Sequence, residues 1–169
     1  MFREMRRFKQ QLTPQQCGRV LERGTAGVLA VEGDDGYPYA VPLSYVWADG
    51  TLWFHCAQSG HKLDALRRCA KASFCVVDQN QLVPETYTTY FRSVIVFGRV
   101  RPVEDPAEKL EALRRLAVRF GPADSPDSHK AELDKTIGRV CILALQPDHI
   151  TGKEAVELTR RRAAEAPAP

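Results

Sequence analysis

The stretch Leu52–Leu66, LWFHCAQSGHKLDAL, gathers side chains that can do chemistry. Leu52, Trp53 and Phe54 have the apolar character of a strand end. Ser59, Gly60, His61 and Lys62 then bring a hydroxyl, free backbone amides, an imidazole and an ammonium together as Leu63 and Leu66 begin a helix. A helix start carries unpaired N–H groups and the positive end of the peptide dipoles, so an anion, phosphate above all, is a natural guest there. The same four residues also suit an ordinary capped helix start with Lys62 in water. His55, Cys56 and His61 are metal-ligand types, but neither a helical HExxH pairing nor a second cysteine accompanies them, and the expectation is no metal. Cys56 as a nucleophile would need a base and an oxyanion hole that nothing in the sequence supplies.

Two further stretches bear on the same question. Pro42, inside the β-prone run AVPLSYVW, removes a ladder donor, which places that position at a sheet edge or bulge with backbone left free for a ligand. Val41–Tyr45 can therefore offer backbone to the edge of a flat heteroaromatic ring. Tyr87, Tyr90, Phe91 and Arg92 form an aromatic and basic cluster that reads either as packing or as a contact between two copies of the chain.

The elements that must position these residues follow from periodicity and turn chemistry. Thr13-Pro14-Gln15-Gln16 has the order of a cap, a first-turn proline and a third-position glutamine, predicting a helix over 14–23 with Gly24 as its left-handed stop. The runs AGVLAVEG, AVPLSYVW and TLWFHC, the last two joined by Asp49-Gly50, predict three successive antiparallel strands in a meander. A helix over about 61–69 follows, then ASFCVVD as a fourth strand and QNQLVPETYTTY as a long surface loop. FRSVIVFGRVRPVE is a long fifth strand in which Gly98 marks a bulge or close approach. Asp105-Pro106 opens an amphipathic helix bearing Leu110, Leu113, Leu116, Ala117 and Phe120, closed by Gly121-Pro122. A polar segment, ADSPDSHKAELDKTIG, precedes the sixth strand, RVCILALQPDHITG. The charged tail frays at its end. With few crossover helices, this order predicts a mainly β fold, a six-stranded antiparallel sheet curled into a barrel with flanking helices. The corresponding divisions are a basic lead-in over 1–12, one domain over 13–155 and a partly disordered tail over 156–169.

Bulk properties bound the function. The 169 residues, 44% hydrophobic and 27% charged, suffice for one domain with its own core. No apolar run approaches the roughly 18–20 residues of a membrane span, and MFREMRRFKQQL has no apolar stretch typical of a secretory signal. With 24 basic and 21 acidic residues the net charge is +3, so there is no footprint for duplex nucleic acid. Five widely spaced cysteines without a C-x-x-C pair suit reduced thiols in the cytoplasm.

Taken together, YPYAVPL, FHCAQSGHK, YFRSVIVFGR with VEDPAEK, and HITGK resemble, in order and spacing, the pyridoxamine 5′-phosphate oxidase-like flavin-binding split-barrel superfamily in its nitroimidazole-resistance branch, over roughly residues 5 to 155. The resemblance implies a six-stranded split barrel of the FMN-binding type, a homodimer with FMN in clefts between the subunits. Residue by residue it implies that Ser59, His61 and Lys62 hold the FMN phosphate and that Val41, Pro42, Leu43 and Ser44 line the flavin ring. His55, Cys56 and Ala57 would lie beneath the ring or ribityl chain, and Arg92 and Ser93 would approach from the fifth strand. HITGKEAVELTRRR does not reproduce the Arg- and His-bearing ending of the oxidases that make pyridoxal phosphate. The implied function is an FMN-dependent oxidoreductase passing electrons to a small organic acceptor such as a nitroaromatic, with His55 the catalytic candidate. The alternative is a non-catalytic flavin- or haem-binding protein or sensor of the same fold.

Overall fold

The computed structural model describes residues 1–121, 133 and 135–165. Most of the polar segment expected after Gly121 lies outside the described residues. The longer helices are α1 (Pro14–Arg23), α2 (His61–Arg68), α3 (Pro106–Phe120) and α4 (Val156–Glu165). The described strands are β1 (Ala26–Glu32), β2 (Pro38–Ser44), β3 (Val46–Ala48), β4 (Thr51–Ala57), β5 (Lys71–Val83), β6 (Thr88–Pro102) and β7 (Val140–Glu154). They form one antiparallel sheet in the order β2-β1-β5-β6-β7-β4-β3.

Seven strands replace the expected six because the run AVPLSYVW breaks at Tyr45. Its first part pairs with β1 and its last with β4. The pairings of the expected meander are present, β1 with β2 and β3 with β4 across the Asp49-Gly50 turn, but they lie at opposite ends of the sheet, and β4 has β7 as its other neighbour. The two ends of the sheet are thus halves of one segment, and the sheet curls until its edges approach at Tyr45. No ladder joins β2 to β3, so the barrel is split there. Tyr45 is fully buried, its ring edge-on to Phe74, and its backbone N–H donates to Thr25 O at 3.1 Å.

Tyr45 also anchors α1. Its hydroxyl donates to Leu21 O at 2.8 Å, satisfying one of the last four carbonyls of α1, which have no partner within the helix. Arg119 of α3 donates to Glu22 O and Arg23 O at 3.0 and 2.8 Å and places its charge at the negative end of the helix dipole. At the other end, Thr13 and Gln16 form the expected capping box behind Pro14. Gly24 is not the left-handed stop: its φ of −65° and ψ of 149° are extended. Glycine is required there for another reason, since a Cβ would collide with the Tyr45 hydroxyl.

The inner face of the sheet carries Leu29, Phe54, Phe74, Val94, Val96, Leu143 and Leu145, all fully buried, under Val20 and Leu21 of α1 and Leu63 and Leu66 of α2. A second cluster lies on the outer face of β4 and β7, where Ala112, Leu113 and Leu116 of α3 cover Ile142, Ala144 and Trp53. Leu110 and Phe120, expected on the buried stripe of that helix, are instead exposed. The bulge expected at Gly98 is present: Phe97 pairs with His149 but Gly98 with Pro147, so Asp148 is an extra residue on β7 and the inward face of that strand changes parity. Asp49 and Gly50 both have positive φ, as a type I′ turn demands.

Two other expectations are corrected. QNQLVPETYTTY is not a loop, because β5 and β6 pair as far as Val83 and Thr88 and extend as a two-stranded arm past a register shift at Asp78. Its polar residues alternate on a ribbon with two wet faces, where the apolar count that marks strands is absent. The tail is helical over Val156–Glu165, with Leu158 buried, and the expectation of a frayed end falls on residues 166–169, outside the described ones. Among the described residues no helix is long and apolar enough to cross a membrane.

Because Tyr45 ties α1 to the split in the sheet, Tyr45→Phe leaves the Leu21 carbonyl buried without its donor. The expected cost is about 2 kcal/mol, read as a lower denaturation midpoint in urea with an unchanged slope.

Candidate functional site

The loop Gln58–Gly60 joins the end of β4 to α2. Gly60 takes φ 128°, a conformation that side-chain-bearing residues rarely adopt, and no side chain caps the helix. Leu63 N–H already bonds Gly60 O at 2.9 Å, so the helix is wound from its first turn while its leading N–H groups face outward from an exposed loop. Ser59 therefore does not cap α2, and the helix's leading amides are of the kind an anionic guest could bind.

Three elements converge on this helix start. His61 stacks on Tyr39 of β2 with ring centroids 4.1 Å apart, and its Nε2 lies 3.3 Å from an Asp34 carboxylate oxygen. Asp34, in the turn before β2, also accepts from Arg68 at 2.7 Å, and Asp64 accepts from Arg67 at 2.7 Å. Lys62 is half-buried and has no such ion pair among the described residues. Its ammonium acts on Cys56: burial pushes that thiol up to about 11, Lys62 pulls it down, and the neighbouring Cys141 raises it further.

Strand alternation distributes the remaining residues. On β2, Val41 and Leu43 turn inward with Tyr39 and are only partly covered, while Pro42 and Ser44 point outward and are exposed. On β4, Cys56 is inward and buried, and His55 and Ala57 are outward and exposed. β2 stands at the end of the sheet order, as Pro42 required, with one backbone edge unpaired. The structure thus brings Val41, Pro42, Leu43, Ser44, His55, Cys56, Ala57, Ser59, His61 and Lys62 to one region, the split between β2 and the end of β4.

Arg92 and Ser93 lie elsewhere. Arg92 pairs with Glu154, at the opposite end of β7 from the part that β4 meets. Its guanidinium is committed, donating to Glu154 at 3.0 Å and to Asp78 at 3.3 Å. Arg23 binds the same Asp78, and Arg162 holds the fully buried Glu154 at 3.1 Å. Ser93 is on the outer face, opposite Val77 and Lys153. Neither residue reaches the α2 start of its own protomer.

Tyr39, Asp34 and Cys141 belong to the region and are absent from the expected set. Tyr39 was legible as the next inward position before Val41 and Leu43. Asp34 and Cys141 carry no local signal, because a turn and a strand far along the chain deliver them. A cavity of about 490 Å³ lies away from this region, under Met1 and Phe2 and against Phe97 and Asp148. Among the described residues no group of three or more His, Cys, Asp or Glu side chains is gathered as a metal site would need.

The Arg23–Asp78–Arg92–Glu154–Arg162 chain sets an acid limit. Burial opposes ionisation of Asp78, yet the hydrogen bonds and charges of Arg23 and Arg92 outweigh it and hold the carboxyl below its ordinary value. A depressed folded-state value means the stabilisation is complete at neutral pH and is lost as pH falls below the ordinary carboxylate value towards the depressed one. Asp78→Asn should cost about 2 kcal/mol at pH 7 and flatten the loss of stability below pH ~4, measured by urea denaturation across pH.

The sequence matches the family model described as pyridoxamine 5′-phosphate oxidase over residues 13–154. No curated protein matches it. Among solved structures, it is similar to a candidate 5-nitroimidazole antibiotic resistance protein from Bacteroides thetaiotaomicron, at 22% identity and TM-score 0.70, covering 85% of this chain and 86% of that one. A conserved hypothetical protein from Mycobacterium tuberculosis superposes with TM-score 0.79 at 17% identity, covering 98% and 97%. An FAD and heme binding protein from Mycobacterium smegmatis gives TM-score 0.69 at 22% identity, covering 93% and 80%. At such identities these likenesses concern the fold.

Proposed function

The chain belongs to the pyridoxamine 5′-phosphate oxidase family, and from that membership we propose that it is a flavoprotein that binds FMN at the split between β2 and α2. The observation that carries this is the uncapped N-terminus of α2, entered through Gly60 at positive φ with Lys62 beside it. In this reading the leading amides of α2, with Ser59, His61 and Lys62, hold the phosphate. Tyr39 and Asp34 orient the His61 ring for that contact. The unpaired edge of β2 at Val41–Ser44 supports the flavin ring, and His55 and Ala57 present the outer end of β4 to it. The pyridoxamine phosphate oxidases after which the family is described, and the FAD-binding relatives from Mycobacterium smegmatis and Mesorhizobium loti, support a flavin over other anionic guests.

We infer further that the protein is a cytoplasmic oxidoreductase that reduces a small organic acceptor of the nitroaromatic class, in keeping with the likeness to the candidate nitroimidazole resistance protein. Bound flavin supplies the electron transfer itself. The chain's part is to fix the phosphate, support the ring along β2, and present the exposed His55 imidazole as the group able to hold or release a proton nearby.

A homodimer completes the reading. One protomer offers an open surface at the α2 start, and a second copy would turn it into a cleft. The outer sheet face suits such a partner: Pro42, Val28, Cys75, Ile95 and Thr151 are directly opposed in one row across five strands. Val77, 62% exposed, extends this face towards Ser93. Pairing across it would let Ser93 approach the partner's flavin, whereas Arg92 remains within its own ion network.

Purified protein should carry a yellow chromophore whose released mass is that of FMN. Lys62→Ala should weaken FMN binding by roughly ten- to a hundredfold, the worth of one charge-assisted hydrogen bond, without changing the denaturation midpoint of the apoprotein. A colourless protein whose melting temperature FMN leaves unmoved would overturn the proposal. Val77→Glu should convert the dimer to monomers in sedimentation and release FMN with it, and retention of both would place the interface elsewhere.

A further inference from the structure

Cys56 and Cys141 are direct partners in the β4–β7 ladder. Both lie on the inward side, next to the opposed and fully buried pair Phe54 and Leu143. Directly opposed residues of antiparallel strands have Cα atoms roughly 4.5 or 5.5 Å apart, and a disulfide spans about 4.4–6.8 Å between Cα atoms. The two thiols are within hydrogen-bonding reach of one another and both are free. The ladder spacing of this pair therefore falls in the range that an S–S bond spans. The other three cysteines have no such neighbour in register: Cys17 lies on α1 against Gly152, Cys69 follows α2, and Cys75 faces Val28 and Ile95 on the outer side.

We propose that Cys56 and Cys141 are a redox-active dithiol that hydrogen peroxide converts to a cross-strand disulfide. Cys141 is the less buried of the two and reacts first. Its sulfur attacks one peroxide oxygen, the O–O bond breaks, and the departing hydroxide takes the thiol proton as water, leaving a sulfenic acid. The sulfur of Cys56 then attacks the Cys141 sulfur. The S–S bond forms, the S–O bond breaks, and hydroxide leaves with the Cys56 proton as a second water. Two thiols and one peroxide give one disulfide and two waters, the sulfurs losing two electrons and the peroxide gaining them. Burial keeps the Cys56 thiol protonated and out of the first step, the opposing pull of Lys62 being the smaller effect. The bond fastens the end of β4, from which the Gln58–Gly60 loop departs, to β7. None of this depends on what the loop binds.

The test treats the full chain with hydrogen peroxide, alkylates the remaining thiols, and reads intact mass and a non-reducing peptide map. The expected result is loss of two hydrogens, one linked peptide containing Cys56 and Cys141, and alkylation of Cys17, Cys69 and Cys75, all reversed by a thiol reductant. In Cys56→Ser, a cyclic 1,3-dione should trap a sulfenic acid on Cys141. In Cys141→Ser, Cys56 should be consumed by peroxide roughly tenfold more slowly than in the parent protein. Five alkylatable thiols after treatment, a bridge between other cysteines, or a bridge between chains would overturn the proposal. The parent map decides even if a serine variant does not fold.

Discussion

Everything in this fold hangs on one buried phenol. Burial raises the Tyr45 pKa well above that of a free tyrosine, with the Arg119 charge opposing the rise and Asp78 adding to it, so the hydroxyl stays a donor at any physiological pH. As a donor it fixes the last turn of α1. As the residue between β2 and β3 it lets a single segment serve both ends of the sheet. A barrel closed by a continuous ladder would bury every strand edge. One split at a side chain keeps the free edge of β2 next to the end of β4, and the candidate flavin site occupies that opening.

Much of this was legible in the sequence because local chemistry determined it. The capping box at Thr13, the proline starts at Pro14 and Pro106 and the Asp49-Gly50 turn each rest on residues within a few positions of one another. Strand pairing is another matter. That β4 would find β7 rather than β2 depends on contacts some ninety residues apart, and no periodicity within either strand records it. The β5–β6 arm was missed because period-2 patterning marks a strand only when one face is dry. Gly24 shows a third kind of failure: the residue type was correctly taken as a requirement, but the requirement was space for the Tyr45 hydroxyl and not a left-handed backbone.

The candidate site divides along similar lines. The α2 start was readable because its amides, Gly60 and Lys62 are contiguous. Arg92 was not, since its spacing within the family motif says nothing about Asp78 and Glu154, which claim it from β5 and β7. The Arg92 guanidinium is held between two poorly exposed carboxylates by its Nε and Nη1, and removing it would leave Glu154 buried with less compensation. Arg23, Arg92 and Arg162 thus neutralise carboxylates where the sheet meets α1 and α4, whereas Lys62, beside the start of α2, has no such ion pair among the described residues.

The sheet order also dictates a sequence of events in time. β5 and β6 are joined by a few residues and pair from end to end of β5, so they can zip locally and early. β4 finds its main partner only when β7 is available, and β3 is held by β4. Closing so long a loop carries an entropic cost that local contacts avoid, and such pairings come late. Since α2 departs from β4, its N-terminus, the candidate anion site, takes its final place only once the β4–β7 ladder has formed. A chain in which β7 has not yet paired therefore has a hairpin and a helix, but not yet the split between β2 and β4.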